Sequence, residues 1–217
     1  MHINTSSQPA LDLGFNGYTC NWGAHMCALY QSQEERDQIV LGFMRHGLAN
    51  GDMCVYGQLD DSLEDFSGQI TDQCPECAAR LSDPDSFLAP PAKDLYYPDG
   101  EFSPWKMEDK LDEFFALSQS HGPRNIRVTA DMAWIHQSGS GLDLLMAYES
   151  RFNYFIHGKP WIGICLYDVN KFEGGAILNV LRTHPFSIIG GVVTKNPYYQ
   201  EPDVWLAANA PRYLTRS

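Results

Sequence analysis

The sequence predicts an α/β domain with a mostly parallel central sheet and helices on both faces. Three observations predict it. Five short apolar runs, His25 to Tyr30, Met53 to Tyr56, Asn125 to Ala130, Trp161 to Tyr167 and Phe186 to Val193, read as strands buried on both sides. Segments with apolar residues at helical spacing alternate with them. Short connections join the first run, the first helix and the second run, which predicts parallel neighbours linked by a right-handed crossover.

Residues 1–23 are polar and Gly-containing, a lead-in loop. The first helix is announced by Ser32-Gln33-Glu34-Glu35, where the Ser32 hydroxyl can accept from the amide of Glu35 and Glu35 can reach back. Ile39, Val40, Phe43, Met44 and Leu48 follow at helical spacing, and Asn50-Gly51 stops the helix. Residues 59–101 are acidic and carry Cys74-Pro75-Glu76-Cys77 and paired prolines. They read as helical pieces and loops, a segment able to act as a lid. Ser103 caps a helix through Met107, Leu111, Phe114, Phe115 and Leu117 to His121-Gly122. Further helices are expected from Leu142 to about Phe155 and from about Gly175 to Leu181. Residues 200–217 read as an exit tail. The whole chain, 1–217, is expected to form one domain.

Charge and composition exclude several functions. With 27 acidic and 15 basic residues the net charge is −12, and no basic stripe offsets it locally. Such a surface repels phosphate backbones and anionic headgroups, so neither nucleic acid nor membrane is an expected partner. The N-terminus lacks a basic stretch followed by an apolar run, and no apolar run is long enough to span a bilayer. Cys27, Cys54 and Cys165 lie in strand-like runs, which suits buried free thiols in a reducing cytoplasm. No GxxxxGK[ST] or GxGxxG follows the first strand, and no GxSxG occurs, so a non-enzyme is expected.

In open parallel sheets ligands bind beyond the carboxyl ends of the strands. That rule selects Tyr30, Tyr56, Asp131 with Met132 and Trp134, and Tyr167 with Asp168: an aromatic rim with two carboxylates, suited to a small apolar ligand with one polar handle. His25 and Cys27, two residues apart on a strand, share a face. With His184, just before the last strand, they would make part of a metal site at the amino-terminal end of the sheet. Cys74 and Cys77 have the spacing of half a zinc knuckle or of a redox pair, but no second CxxC completes a zinc set. An enzyme using His25, Cys27 and Asp131 is the remaining alternative. Placing Asp131 at the opposite sheet end from the other two argues against it.

An ordered series of motifs adds a resemblance. It comprises His25-x-Cys27-x-x-Tyr30, Gly47-Leu48-x-x-Gly51-Asp52-x-Cys54-Val55-Tyr56, Tyr97-x-x-Asp99-Gly100-x-Phe102, and Arg127-Val128-x-x-Asp131-Met132-x-Trp134. Tyr148-Glu149, Cys165-x-Tyr167-Asp168, Thr183-His184-Pro185 and Asn196-Pro197-Tyr198-Tyr199 complete it. From about Gly23 to Tyr199 the chain resembles the MEDS family, the methanogen/methylotroph DcmR-type sensory domain. The resemblance implies a RecA/KaiC-like fold without a phosphate loop. It also implies a non-catalytic sensory domain for signal transduction or transcriptional regulation, binding a hydrocarbon or halogenated one-carbon derivative. A homodimer and an output domain or partner protein would belong to such a sensor. Asp131 stands where the family more often has Glu, and Cys74-Pro75-Glu76-Cys77 is foreign to the signature. A metal or redox sensor built on His25, Cys27 and His184, or on Cys74 and Cys77, is therefore the alternative reading.

Overall fold

The computed structural model describes residues 11–59, 63–120 and 122–216. The first ten residues of the lead-in, residues 60–62 of the acidic segment and His121 at the predicted helix end lie outside the described residues.

In chain order, β1 (Leu11–Asp12) and β2 (Thr19–Cys20) form a small antiparallel pair. They are followed by β3 (Ala24–Tyr30), α1 (Gln33–Asn50), β4 (Met53–Gly57), α2 (Leu63–Gln73), α3 (Ala78–Leu81), β5 (Phe87–Leu88), α4 (Ala92–Tyr96) and α5 (Pro104–Ser120). Then come β6 (Ile126–Asp131), α6 (Leu142–Ile156), β7 (Trp161–Asp168), α7 (Gly174–Thr183), β8 (Phe186–Ile189), β9 (Val192–Lys195) and α8 (Pro202–Asn209). The main sheet has the order β5-β4-β6-β7-β3-β8-β9, parallel throughout except for β9.

Strand alternation divides the core in two. Cys27, Leu29, Val128, Cys165 and Tyr167 face α5, α6, α7 and α8, whereas Met26, Ala28, Tyr30, Tyr56 and Leu166 face α1 and α2. The first-turn signals of α1 act as read: Glu35 N–H donates to the Ser32 hydroxyl at 3.3 Å, and the Glu35 carboxylate accepts from Gln31 N–H at 2.9 Å. Gly51, at φ 85°, closes the helix in the left-handed region.

The structure revises four expectations. β3 and β4 are parallel but not neighbours, because β6 and β7 insert between them. The run from Phe186 to Val193 is not one strand but a hairpin. Gly190 and Gly191, at φ 56° and 70°, make its two-residue turn, and β9 returns antiparallel. The acidic segment contributes the edge strand β5 and buries Phe66, Ile70, Leu95 and Tyr96. The exit tail forms α8, whose Trp205 and Leu206 are buried in the core shared with α6 and α7.

One buried ion pair ties the lead-in to the sheet. Arg127 on β6 is fully buried, and its Nε donates to Asp52 Oδ2 at 2.8 Å. Its Nη2 donates to the Asp12 carbonyl at 3.0 Å, and its guanidinium lies 5.1 Å from the centre of the Phe43 ring. Asn125 completes Asp52 with a 3.1 Å bond to Oδ1.

Candidate functional site

Two constellations stand out, on opposite faces of the sheet. The first is fully enclosed. β3 carries His25, α6 carries Glu149, β7 carries Cys165, and His184 lies at the junction of α7 and β8. Their four potential ligand atoms lie within 4.8 Å of one another. Glu149 Oε2 is 3.1 Å from His25 Nε2, 3.4 Å from His184 Nε2 and 3.4 Å from Cys165 Sγ. His25 Nε2 and Cys165 Sγ are 3.4 Å apart.

Hydrogen bonds orient every member of this cluster. Tyr167 O–H donates to Glu149 Oε1 at 2.6 Å. His25 Nδ1 lies 3.1 Å from Asn153 Oδ1, and His184 Nδ1 lies 2.7 Å from the Val180 carbonyl. The Asn153 amide cannot be turned round, because its Nδ2 donates to the carbonyls of Glu149, Ser150 and Thr183. Burial and the neighbouring His184 pull His25 down to about 4 from the usual histidine value. Burial alone would raise the Glu149 carboxyl, but the two histidines outweigh it and hold the group below the ordinary carboxylate range.

Gly163 makes room for the cluster. It is paired with His25 across β3 and β7, and a Cβ there would lie 2.5 Å from Phe152 Cε1. Gly163→Ala is expected to destabilise the fold by about 1–3 kcal/mol through overpacking, read from the urea midpoint.

The second constellation is a cavity of about 110 Å³ at the carboxyl ends of the strands. Tyr30, Gln31, Ser32, Gln33 and Arg36 line it from β3, α1 and the turn between them, Leu59 from just beyond β4, Asp131 from β6, Asp168 from β7, and Lys171 from the connection between β7 and α7. The connection after β3 leads away to β4 while that after β7 crosses to β8, so the cavity sits where the chain's winding reverses. Tyr30 O–H donates to Asp131 Oδ2 at 2.6 Å, and Arg36 Nε is 4.0 Å from the same oxygen. Asp131 Oδ1 accepts from Ala133 N–H at 2.9 Å. A wider groove of about 530 Å³ between α6 and α7 shares Lys171 with this cavity.

The predicted rim therefore splits. Tyr30, Asp131 and Asp168 line the cavity. Tyr56 is fully buried behind it, its hydroxyl accepting from Arg36. Trp134 stacks on Tyr96 at 4.5 Å and meets Tyr97 and Phe102 in a closed aromatic cluster, so it is core. Tyr167 points to the opposite face and serves Glu149. The predicted His25, Cys27 and His184 set is also revised. His25 and His184 meet, but Cys27 Sγ turns to the Phe186 carbonyl at 3.7 Å and Cys165 takes its place. Cys74 and Cys77 are joined in a disulfide, so neither sulfur is open as a ligand. Asp131 shares neither the face nor the end of His25, which removes the enzyme arrangement that needed both. Glu149 appeared in the sequence reading only within Tyr148-Glu149, with no role assigned.

Comparison with known proteins identifies the family and the fold. Residues 24–185, from one residue before His25 to one after His184, match the family MEDS, the MEthanogen/methylotroph, DcmR Sensory domain. The transcriptional repressor DcmR of Methylorubrum extorquens (strain DSM 6343 / CIP 106787 / DM4) is 25% identical over 161 residues, which are 74% of this chain and 57% of the repressor. The chain thus matches little more than half of that relative's length. In fold it is similar to the flagellar accessory protein FlaH from Methanocaldococcus jannaschii, with TM-score 0.52, 14% identity, and coverage of 83% of this chain and 84% of that one. The RecA/KaiC-like layout is the one observed, and the chain belongs to the MEDS family of sensory domains.

Proposed function

We propose that this domain senses a small molecule of a few heavy atoms, bound in the strand-end cavity, for a regulatory protein. The observation that carries the reading is the Tyr30–Asp131–Arg36 arrangement at the switch point of the sheet. A cavity of about 110 Å³ is somewhat smaller than one of about 150 Å³ that admits benzene, so it suits a small molecule. Its lining is polar and charged, so the ligand is a small molecule carrying a hydrogen-bonding or polarised end, rather than a bare hydrocarbon. The sequence between β3 and α1 supplies no phosphate cradle, and the first turn of α1 is already capped by its own Ser32 and Glu35. That favours sensing over nucleotide chemistry.

Lys171 lies in both the cavity and the α6–α7 groove, so ligand contact at Asp131 and Asp168 would bias the entrance to α7. A ligand acts on the output only through unequal binding to two arrangements. The output would be a further segment or a partner protein, as in a DcmR-like regulator.

The test is native mass spectrometry of co-purifying small molecules, followed by thermal-shift titration with dichloromethane, methanol and formate. Saturable stabilisation by one probe is expected. Asp131→Asn should weaken it by about 10-fold or more, since a hydrogen bond to a charged group contributes about 1.5–3 kcal/mol. An unchanged response in Asp131→Asn and Tyr30→Phe would remove the cavity from the function.

A further inference from the structure

We propose that His25, Glu149, Cys165 and His184 hold one divalent transition-metal cation of the zinc class. The proposal goes beyond ligand sensing and concerns the opposite face of the sheet from the strand-end cavity.

A proton count carries it. Val180 O can only accept, so His184 Nδ1 is the donor of that pair, and its Nε2 presents a lone pair. Asn153 offers its oxygen to His25, so His25 Nδ1 also donates and its Nε2 presents a lone pair as well. Both lone pairs point at Glu149 Oε2, itself an acceptor. His184 Nε2 has no hydrogen-bond partner among the described residues. The Tyr167 proton is spent on Oε1. One thiol proton, that of Cys165, is left for three acceptor atoms in a site where all four residues are buried. Buried acceptors facing one another are costly, and a cation is the group that satisfies them together.

The distances agree. Ligand atoms about 2.0–2.3 Å from a tetrahedral zinc are roughly 3.3–3.7 Å apart. Of the six separations, His25 to Glu149 is 3.1 Å, those of Glu149 to His184, Glu149 to Cys165 and His25 to Cys165 are 3.4 Å, and the two from His184 to His25 and to Cys165 lie within 4.8 Å. Two imidazoles, a thiolate and a carboxylate neutralise a divalent ion, and this nitrogen–sulfur–oxygen set suits zinc or cobalt rather than calcium or magnesium. Each histidine is held through its other nitrogen, the outer arrangement that metal-binding histidines show. With ligands from β3, α6, β7 and the α7–β8 junction, the ion would lock the sheet to the helices covering it.

The experiment uses the full chain, unfolded, stripped with chelator under reducing conditions, and refolded with cobalt(II). One cobalt per chain is expected, with a sulfur-to-cobalt charge-transfer band and strong visible d–d absorption, displaced by zinc. Cys165→Ser should lose the charge-transfer band, whereas Cys27→Ser, Asp131→Asn and the double Cys74→Ser, Cys77→Ser variant should keep it. Asn153→Ala, a positioning change, should weaken cobalt binding by about 10- to 100-fold. Circular dichroism verifies folding. If Cys165→Ser does not fold, Glu149→Gln, which keeps the shape, must weaken uptake. No cobalt uptake, or a charge-transfer band that survives in Cys165→Ser, would overturn the proposal and make the cluster a proton-sharing core. Because Asp131→Asn is read in both experiments, loss of the metal site and loss of the ligand cavity are told apart.

Discussion

Replacing Asp52 with alanine is expected to cost about 3–5 kcal/mol, measured as the shift in urea unfolding free energy. Arg127 is fully buried and depends on Asp52 for its charge-compensating bond at 2.8 Å. Removing one member of a buried pair leaves the other uncompensated, which costs far more than the pair contributes. Asn125 loses its carboxylate acceptor in the same step. Arg127→Met tests the converse, since it strands Asp52 and frees the Asp12 carbonyl. The double variant should lose less than the sum of the two, because no charge is then left unpaired. A loss below about 1 kcal/mol for Asp52→Ala would show that water reaches Arg127.

Trp134→Ala is expected to cost about 3–5 kcal/mol of stability, the range for deleting a large aromatic from a close-packed core. The indole is fully buried and stacks on Tyr96 with an interplanar angle of 12°. Tyr97 and Phe102 enclose it further. Through these contacts α4 and the start of the segment before α5 are fastened over the carboxyl end of β6. Thermal unfolding followed by near-ultraviolet circular dichroism reads the loss directly. A variant that kept its stability but no longer responded to ligand would return Trp134 to a binding role.

The legible parts of the fold were those written in local pattern. Five of the six parallel strands were visible because strands covered on both faces are largely apolar; the two-residue edge strand β5 was not. The caps of α1 were visible because Ser32, Glu35 and Gly51 act within a few residues of where they stand. Sheet order was not visible: nothing local in β3 or β4 states that β6 and β7 will lie between them. The Gly190-Gly191 turn was written in the sequence but lay inside an apolar run and was read as part of it.

The site shows the same limit more sharply. His25 and His184 were identifiable as ligand-type residues near one sheet end, and Cys165 as a buried thiol. Glu149 sits in mid-helix and 124 positions from His25, so no spacing rule joins them. Cys27 was chosen because two-residue spacing puts it on the face of His25, which holds, but the same face does not mean the same neighbour. Tyr167 and Trp134 were assigned by strand end alone, and strand end does not decide the side of the sheet a residue takes.

The self-capped first turn of α1 has a thermodynamic consequence. A domain that fills its anion-accepting amides from solution has its stability tied to the supply of that anion by mass action. Here the carboxylate of Glu35 is tethered four residues from the Gln31 N–H it serves, so its local concentration is fixed by covalent structure. Dilution cannot vacate it. The two amides that Glu35 and Ser32 satisfy therefore need no bound anion, and that part of the scaffold does not depend on the supply of one.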